Sequence, residues 1–131
     1  MDSIMIKVPV TIKAKLTEKL RERLVGEFSK VAEQMELEIK QVEIDRKREL
    51  DNNPQHVERI NQFFGNEIGQ RQHRRSEALA RKEAVEKLAL GAEITQGTLE
   101  REVELKVGDN MREIMNVEVL IEDDKIIAIR G

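Results

Sequence analysis

His73 and Glu77 stand four residues apart, one turn if the segment is helical, and a histidine and a carboxylate at that spacing can share a metal ion or a proton. Two ligands fall short of the three protein ligands a catalytic zinc takes, and His56 lies 17 residues before His73, too far along one rod to supply the third. Solvated histidines are expected, with no metal and no cofactor. The run Arg71-Gln72-His73-Arg74-Arg75, with Arg81 and Lys82 following, is the best candidate for contacts to phosphate, carried by Arg71, Arg74 and Arg75. No aromatic residue interleaves these arginines, so the base stacking used by single-strand binders has no support. A second basic group, Arg46-Lys47-Arg48 with Arg59, is diluted by Glu43, Asp45, Glu49 and Glu58. Gly108-Asp109-Asn110 could hold a cation or phosphate, but its composition is that of a plain turn. Carboxylates are plentiful but spread along the chain, and no nucleophile meets a base, so a non-enzymatic protein is expected.

The composition points to long polar helices. Charged residues make up 37% of the 131, while aromatics are 2%, namely Phe28, Phe63 and Phe64, too few to fill a thick core. There is no cysteine, which excludes disulfides, thiolate metal sites and a thiol nucleophile, and suits a reducing compartment. MDSIMIKVPV is not a leader, and no window approaches the roughly 18 apolar residues of a membrane span, which together predict a cytoplasmic protein with no membrane partner. The net charge is -3, and residues 17 to 91 balance 15 basic against 15 acidic side chains, leaving no surplus to attract a polyanion.

The period of the apolar residues sets the elements. Ile4, Ile6, Val8, Val10 and Ile12 alternate with other residues and predict a strand, which Pro9 places at an edge or at an unpaired position. Thr17 is a hydroxyl N-cap ahead of Glu18. From there an eleven-residue spacing appears in three rows: Leu20, Val31 and Val42; Phe28, Ile39 and Leu50; Leu24, Met35 and Arg46. Eleven residues in three turns keep one helix face in line with almost no supercoil. A strand beginning at Met35 would leave those rows without a continuation, so MELEIKQVEID is helical. Asp51 to Pro54 form a turn, and Val57, Ile68, Leu79 and Leu90 repeat the spacing, with Ile60 and Phe64 filling in. Two helices of about 33 residues, each roughly 50 Å long, fold back about Asn52 and Asn53. That register sets Phe28 near Leu79, Ile39 near Ile68 and Val42 near Phe64, and lays Glu33, Glu36 and Glu38 opposite the arginine run. Ion pairing within the chain is therefore favoured over phosphate binding.

Beyond Gly91, a helix stop, the period returns to two in Val103, Leu105 and Val107, then in Val117, Val119 and Ile121, then in Ile127 and Ile129 after an Asp123-Asp124 hairpin turn. The predicted fold class is α+β: a long antiparallel two-helix coiled-coil hairpin (residues 17–91) inserted in a small antiparallel β-sheet or partly closed barrel built from residues 1–16 and 92–131.

LALGAEITQGTLEREVELKVGDN and VEVLIEDDKIIAIRG, together with the leading PVTIKAKLT, resemble the YlqD-like family of small bacterial proteins. The resemblance spans both sheet-forming ends and implies this architecture, with no activity, substrate or catalytic residue. In some bacteria the family's genes lie near ribosome-maturation genes, an association from which the resemblance implies a ribosomal connection only by neighbourhood. Asp123-Asp124 departs from the Asp-Gly turn common in that family.

A two-helix hairpin cannot surround its own seam. Leu37, Ile44 and Phe63 fall off the internal seam, and Gly65 and Gly69 sit inside the second helix, either as a hinge, as a surface for another helix, or packed on the first helix near Ile39. These five residues are the expected partner interface, and a homodimer the expected state, with another protein as a possible partner. The expected function is a scaffold or interaction protein; the alternative is an accessory factor that contacts RNA or the ribosome through Arg71, Arg74 and Arg75.

Overall fold

The computed structural model describes residues 1–131. Its elements are β1 (Ser3–Lys15), α1 (Glu18–Asn52), a 3-10 turn (Pro54–His56), α2 (Val57–Lys87), β2 (Glu93–Lys106), α3 (Met111–Met115), β3 (Glu118–Glu122) and β4 (Lys125–Arg130). The chain forms two compact units, one of Met1–Arg21 with Leu88–Gly131 and one of Glu22–Lys87.

The first unit is a four-stranded sheet in the order β2-β1-β3-β4. β2 pairs antiparallel with the full length of β1, from Ser3 against Lys106 to Lys15 against Glu93, with a bulge between Ile12 and Lys13. β3 pairs with β1 only from Thr11 to Ala14, and in parallel. β4 closes an antiparallel hairpin on β3. The expectation of an antiparallel sheet therefore fails at one of three pairings, and the sheet does not close. The parallel pairing follows from the route: the chain leaves β2, passes over β1 with α3 against it, and enters β3 on β1's other side.

β1 buries Val8, Val10 and Ala14 on one face, as its alternation requires. Pro9 is tolerated because of where its missing N–H points. The Thr11 N–H donates to Val117 on the β3 side (3.1 Å), so position 9, two residues earlier, aims at the same side, where β3 has not yet begun. On the opposite face Lys13 and Arg130 both bind Glu118 at 2.9 Å, and Arg130 also binds Glu93 at 2.5 Å. Glu93 and Arg130 belong to the two edge strands, which a flat sheet would hold about 14 Å apart, so their bond reflects a sheet curled toward this face. The Arg130 hydrogen bond pulls the Glu93 pKa below the ordinary 4.5. The Lys13 hydrogen bond does the same to Glu118, with Arg130 adding to it.

Thr17 caps α1, its hydroxyl accepting from the Leu20 N–H at 3.1 Å and donating to the Asp123 carboxylate at 2.7 Å. Asp123 and Asp124 turn the last hairpin with φ of 45° and 67°, the left-handed pair a two-residue turn needs. Gly91 is not the helix stop: α2 ends at Lys87, where the Arg21 guanidinium binds the next carbonyl, that of Leu88, and Gly91, at φ +88°, lies in the turn that leads into β2.

The second unit is the helical hairpin. All nine positions of the three α1 rows are buried or half-buried, Met35 most of all at 3% exposure. The α2 row fails: Val57, Leu79 and Leu90 are exposed. The face of α2 that α1 shields runs instead through Ile60, Phe64, Ile68, Arg71, Arg75, Ala78 and Val85. Long arginine stems fill space that the apolar count assigned to leucines. Consistent with such long side chains, the helices' Cα atoms stay almost everywhere more than 8 Å apart. The fold-back centre also moves. Arg46 bonds Asn61, Arg71 bonds Glu38 and Arg75 bonds Glu36, pairs centred between Asn53 and His56 rather than between Asn52 and Asn53, because α1 continues through Asn52 and the 3-10 turn follows it.

Candidate functional site

The arginine run is divided by the helix. Arg71 faces α1, where its Nε donates to Glu38 at 3.2 Å and its Nη1 to Glu67 at 2.7 Å. The Glu67 hydrogen bond, reinforced by Glu38, raises the Arg71 pKa above its ordinary value. Arg75 holds Glu36 with Nε at 2.9 Å and Nη2 at 2.8 Å. Arg74 is exposed and makes no ion pair, and neither do Arg81, Lys82 and Glu33. Two of three candidate phosphate contacts are thus engaged by carboxylates of the same hairpin. In the second basic group Arg46 bonds Asn61, while Lys47, Arg48 and Arg59 point to solvent.

The titratable candidates stay apart. His73 bonds Glu77 at 3.1 Å on an open surface, and His56 is exposed at the 3-10 turn. No three His, Cys, Asp or Glu side chains gather to hold a metal ion. Gly108-Asp109-Asn110 spends its polar atoms on its own backbone: Asp109 accepts from the Lys106 N–H at 2.8 Å, and Asn110 caps α3 by accepting from Arg112 at 2.9 Å. An open groove of about 590 Å³ runs along one flank of the hairpin between Ile39 and Gln72, with the Glu36–Arg75 pair across it. It presents Ser76 without a base beside it, so it offers no acyl- or phosphoryl-transfer chemistry.

The apolar candidates are exposed, Leu37 at 62%, Ile44 at 51% and Phe63 at 58%. A helix turns about 100° per residue, so Leu37 and Ile44 stand about 200° and 180° around α1 from the buried Met35. They lie on the side facing away from α2. Measured from the buried Ala78, Gly69 and Gly65 stand about 180° and 140° around α2, on its outward side, and Phe63 about 60° away on a flank. The five residues therefore do not form one patch. Cβ atoms added at Gly65 and Gly69 would meet nothing within 4 Å, so neither glycine is needed for packing on α1 near Ile39. Exposure of the β4 isoleucines Ile126, Ile127 and Ile129 on an edge strand was not foreseen, because alternation in the sequence does not say whether a face will be covered.

No helix is long and apolar enough to cross a membrane. None of the curated proteins matches the chain. Among solved structures, the crystal structure of a protein of unknown function from Synechococcus sp. WH 8102 superposes with a TM-score of 0.92 at 24% identity, covering 100% of both chains, a likeness that establishes the fold. Residues 4–130 match the family model described as YlqD protein, from the first strand to the last, and the chain belongs to the YlqD family.

Proposed function

We propose that the chain is a non-enzymatic interaction protein that associates with itself through the helical hairpin. The observation that carries this reading is the pair Leu37 and Ile44, seven residues apart on one stripe of α1, both more than half exposed and both turned away from α2. Apolar side chains repeated at that spacing on a solvent-facing stripe form the seam by which one helix packs on another. The chain's own second helix is already placed on the opposite side of α1, so the contact requires another molecule. The RNA or ribosome alternative draws less support, because Arg71 and Arg75 are held by Glu38, Glu67 and Glu36.

Sedimentation equilibrium over a wide concentration range tests the proposal. The wild type is expected to approach twice the 15.2 kDa chain mass, and Leu37→Asp with Ile44→Asp to stay at one chain mass with unchanged helicity. A wild type that remains a monomer at the highest concentration overturns it.

A further inference from the structure

Resting on that self-association reading, we infer that the partner of the outer α1 face is the same face of a second copy, antiparallel, with a two-fold axis passing between Lys40 and Gln41. Around that point the stripe is complementary to itself. Leu37 and Ile44 are placed symmetrically about it, and so are Glu33 and Arg48, and Lys30 and Asp51. A two-fold axis there brings Leu37 of each copy onto Ile44 of the other, Glu33 onto Arg48, and Lys30 onto Asp51, each pair occurring twice. The four charged residues are exposed and take part in no ion pair within the chain, so they are available for these contacts. The six residues are spaced by three, four, seven, four and three along the helix, a heptad pattern that drifts only about 20° per heptad and is absorbed by a slight left-handed supercoil.

Other registers are worse. A parallel two-fold pair sets Lys30 on Lys30, Glu33 on Glu33 and Arg48 on Arg48, all like charges. An antiparallel axis at Leu37 leaves Ile44 opposite Lys30, and one at Ile44 leaves Leu37 opposite Asp51 and Arg48 opposite Lys40. Only the Lys40–Gln41 axis, among these, satisfies both apolar residues and all four charges. Its one unfavourable feature is that the two copies of Lys40 come close together. With two apolar pairs and exposed charges, the dimer is weak and salt-sensitive.

Charge exchange tests the register. Glu33→Arg and Arg48→Glu, each alone, are expected to weaken dimerisation about tenfold at low salt, since symmetry places each change in the interface twice. The two together restore the pair in reverse and are expected to return the dissociation constant to within about threefold of wild type. Within one chain these residues lie about 22 Å apart along α1, so rescue reports a contact between copies. A short amine-reactive cross-linker on the wild type is expected to join Lys40 to Lys40, a link that can form only between molecules, and Lys40→Gln to tighten the dimer. A wild-type monomer would remove the self-association reading and this inference with it. A wild-type dimer indifferent to both reversals, or one not rescued by the exchange, overturns the register and leaves self-association standing.

Discussion

Replacing Gly65 and Gly69 with alanine is expected to stabilise the protein. Each glycine lies inside α2 with ordinary helical backbone, and a Cβ added at either meets no atom within 4 Å. The steric cost is therefore absent, and what remains is helix propensity, in which alanine exceeds glycine by about 0.8–1.0 kcal/mol per site. The two changes together should contribute about 2 kcal/mol. With about 2.1 cal/mol/K of unfolding entropy per residue, the 131-residue chain unfolding as one unit would gain roughly 7 °C in Tm. Ellipticity at 222 nm during heating, and urea midpoints at unchanged m, would measure the shift on dilute protein. Light scattering on concentrated protein would report association, which is expected to persist because the contact lies on α1. A fall in Tm would show that these positions are covered, refuting the open-surface geometry. Stabilisation accompanied by loss of the dimer would refute the α1 contact instead and move it to α2.

Replacing Arg71, Arg74 and Arg75 with glutamine should lower Tm by only a few degrees, since exposed pairs contribute little, and leave self-association intact; if the folded variant lost RNA or ribosome association with a smaller salt slope, the phosphate reading would take precedence. Glu93 and Glu118 have folded pKa values below the ordinary 4.5, so their contribution is present above that value and lost as pH falls through the depressed ones; Tm should drop below about pH 4.5, and Glu93→Gln with Glu118→Gln should lower Tm at neutral pH and flatten that acid limb. Asp124→Gly removes a left-handed non-glycine residue while leaving the Thr17–Asp123 bond in place, and should raise stability by about 1 kcal/mol in thermal melts.

Legibility in the sequence followed how strictly one side of an element was apolar. β1 and α1 each present an apolar set at one period, and the structure buries or half-buries those sets except Ile4, at the open start of β1. The Thr17 cap and the Asp123-Asp124 turn were readable because each depends on side chains acting within a few residues. Three features depend on distant partners. Glu93 to Glu102 carry no alternation, and their strand exists because β1 supplies a matching length of backbone. The parallel β1–β3 pairing depends on the path of the α3 crossover, which no local pattern encodes. In α2 the stripe with more apolar residues is not the inward one, since Arg71 and Arg75 turn inward to carboxylates on α1 and carry the face with them.

That last choice also decides which charges remain for a partner. The equal totals on the hairpin, 15 and 15, say nothing about their placement. Glu36, Glu38 and Glu67 are engaged by α2 arginines, while Lys30, Glu33, Arg48 and Asp51 stay unpaired on the far side of α1. Charges that could have joined a general surface scatter instead share a stripe with Leu37 and Ile44, and their order reads plus, minus, apolar, apolar, plus, minus along the helix. Reversed in direction and laid on itself, that order places opposite charges and apolar residues in contact. Parallel alignment places like on like. The polar seam inside the hairpin and the self-complementary stripe outside it thus draw on different charges of α1, Glu36 and Glu38 in the first and Lys30, Glu33, Arg48 and Asp51 in the second.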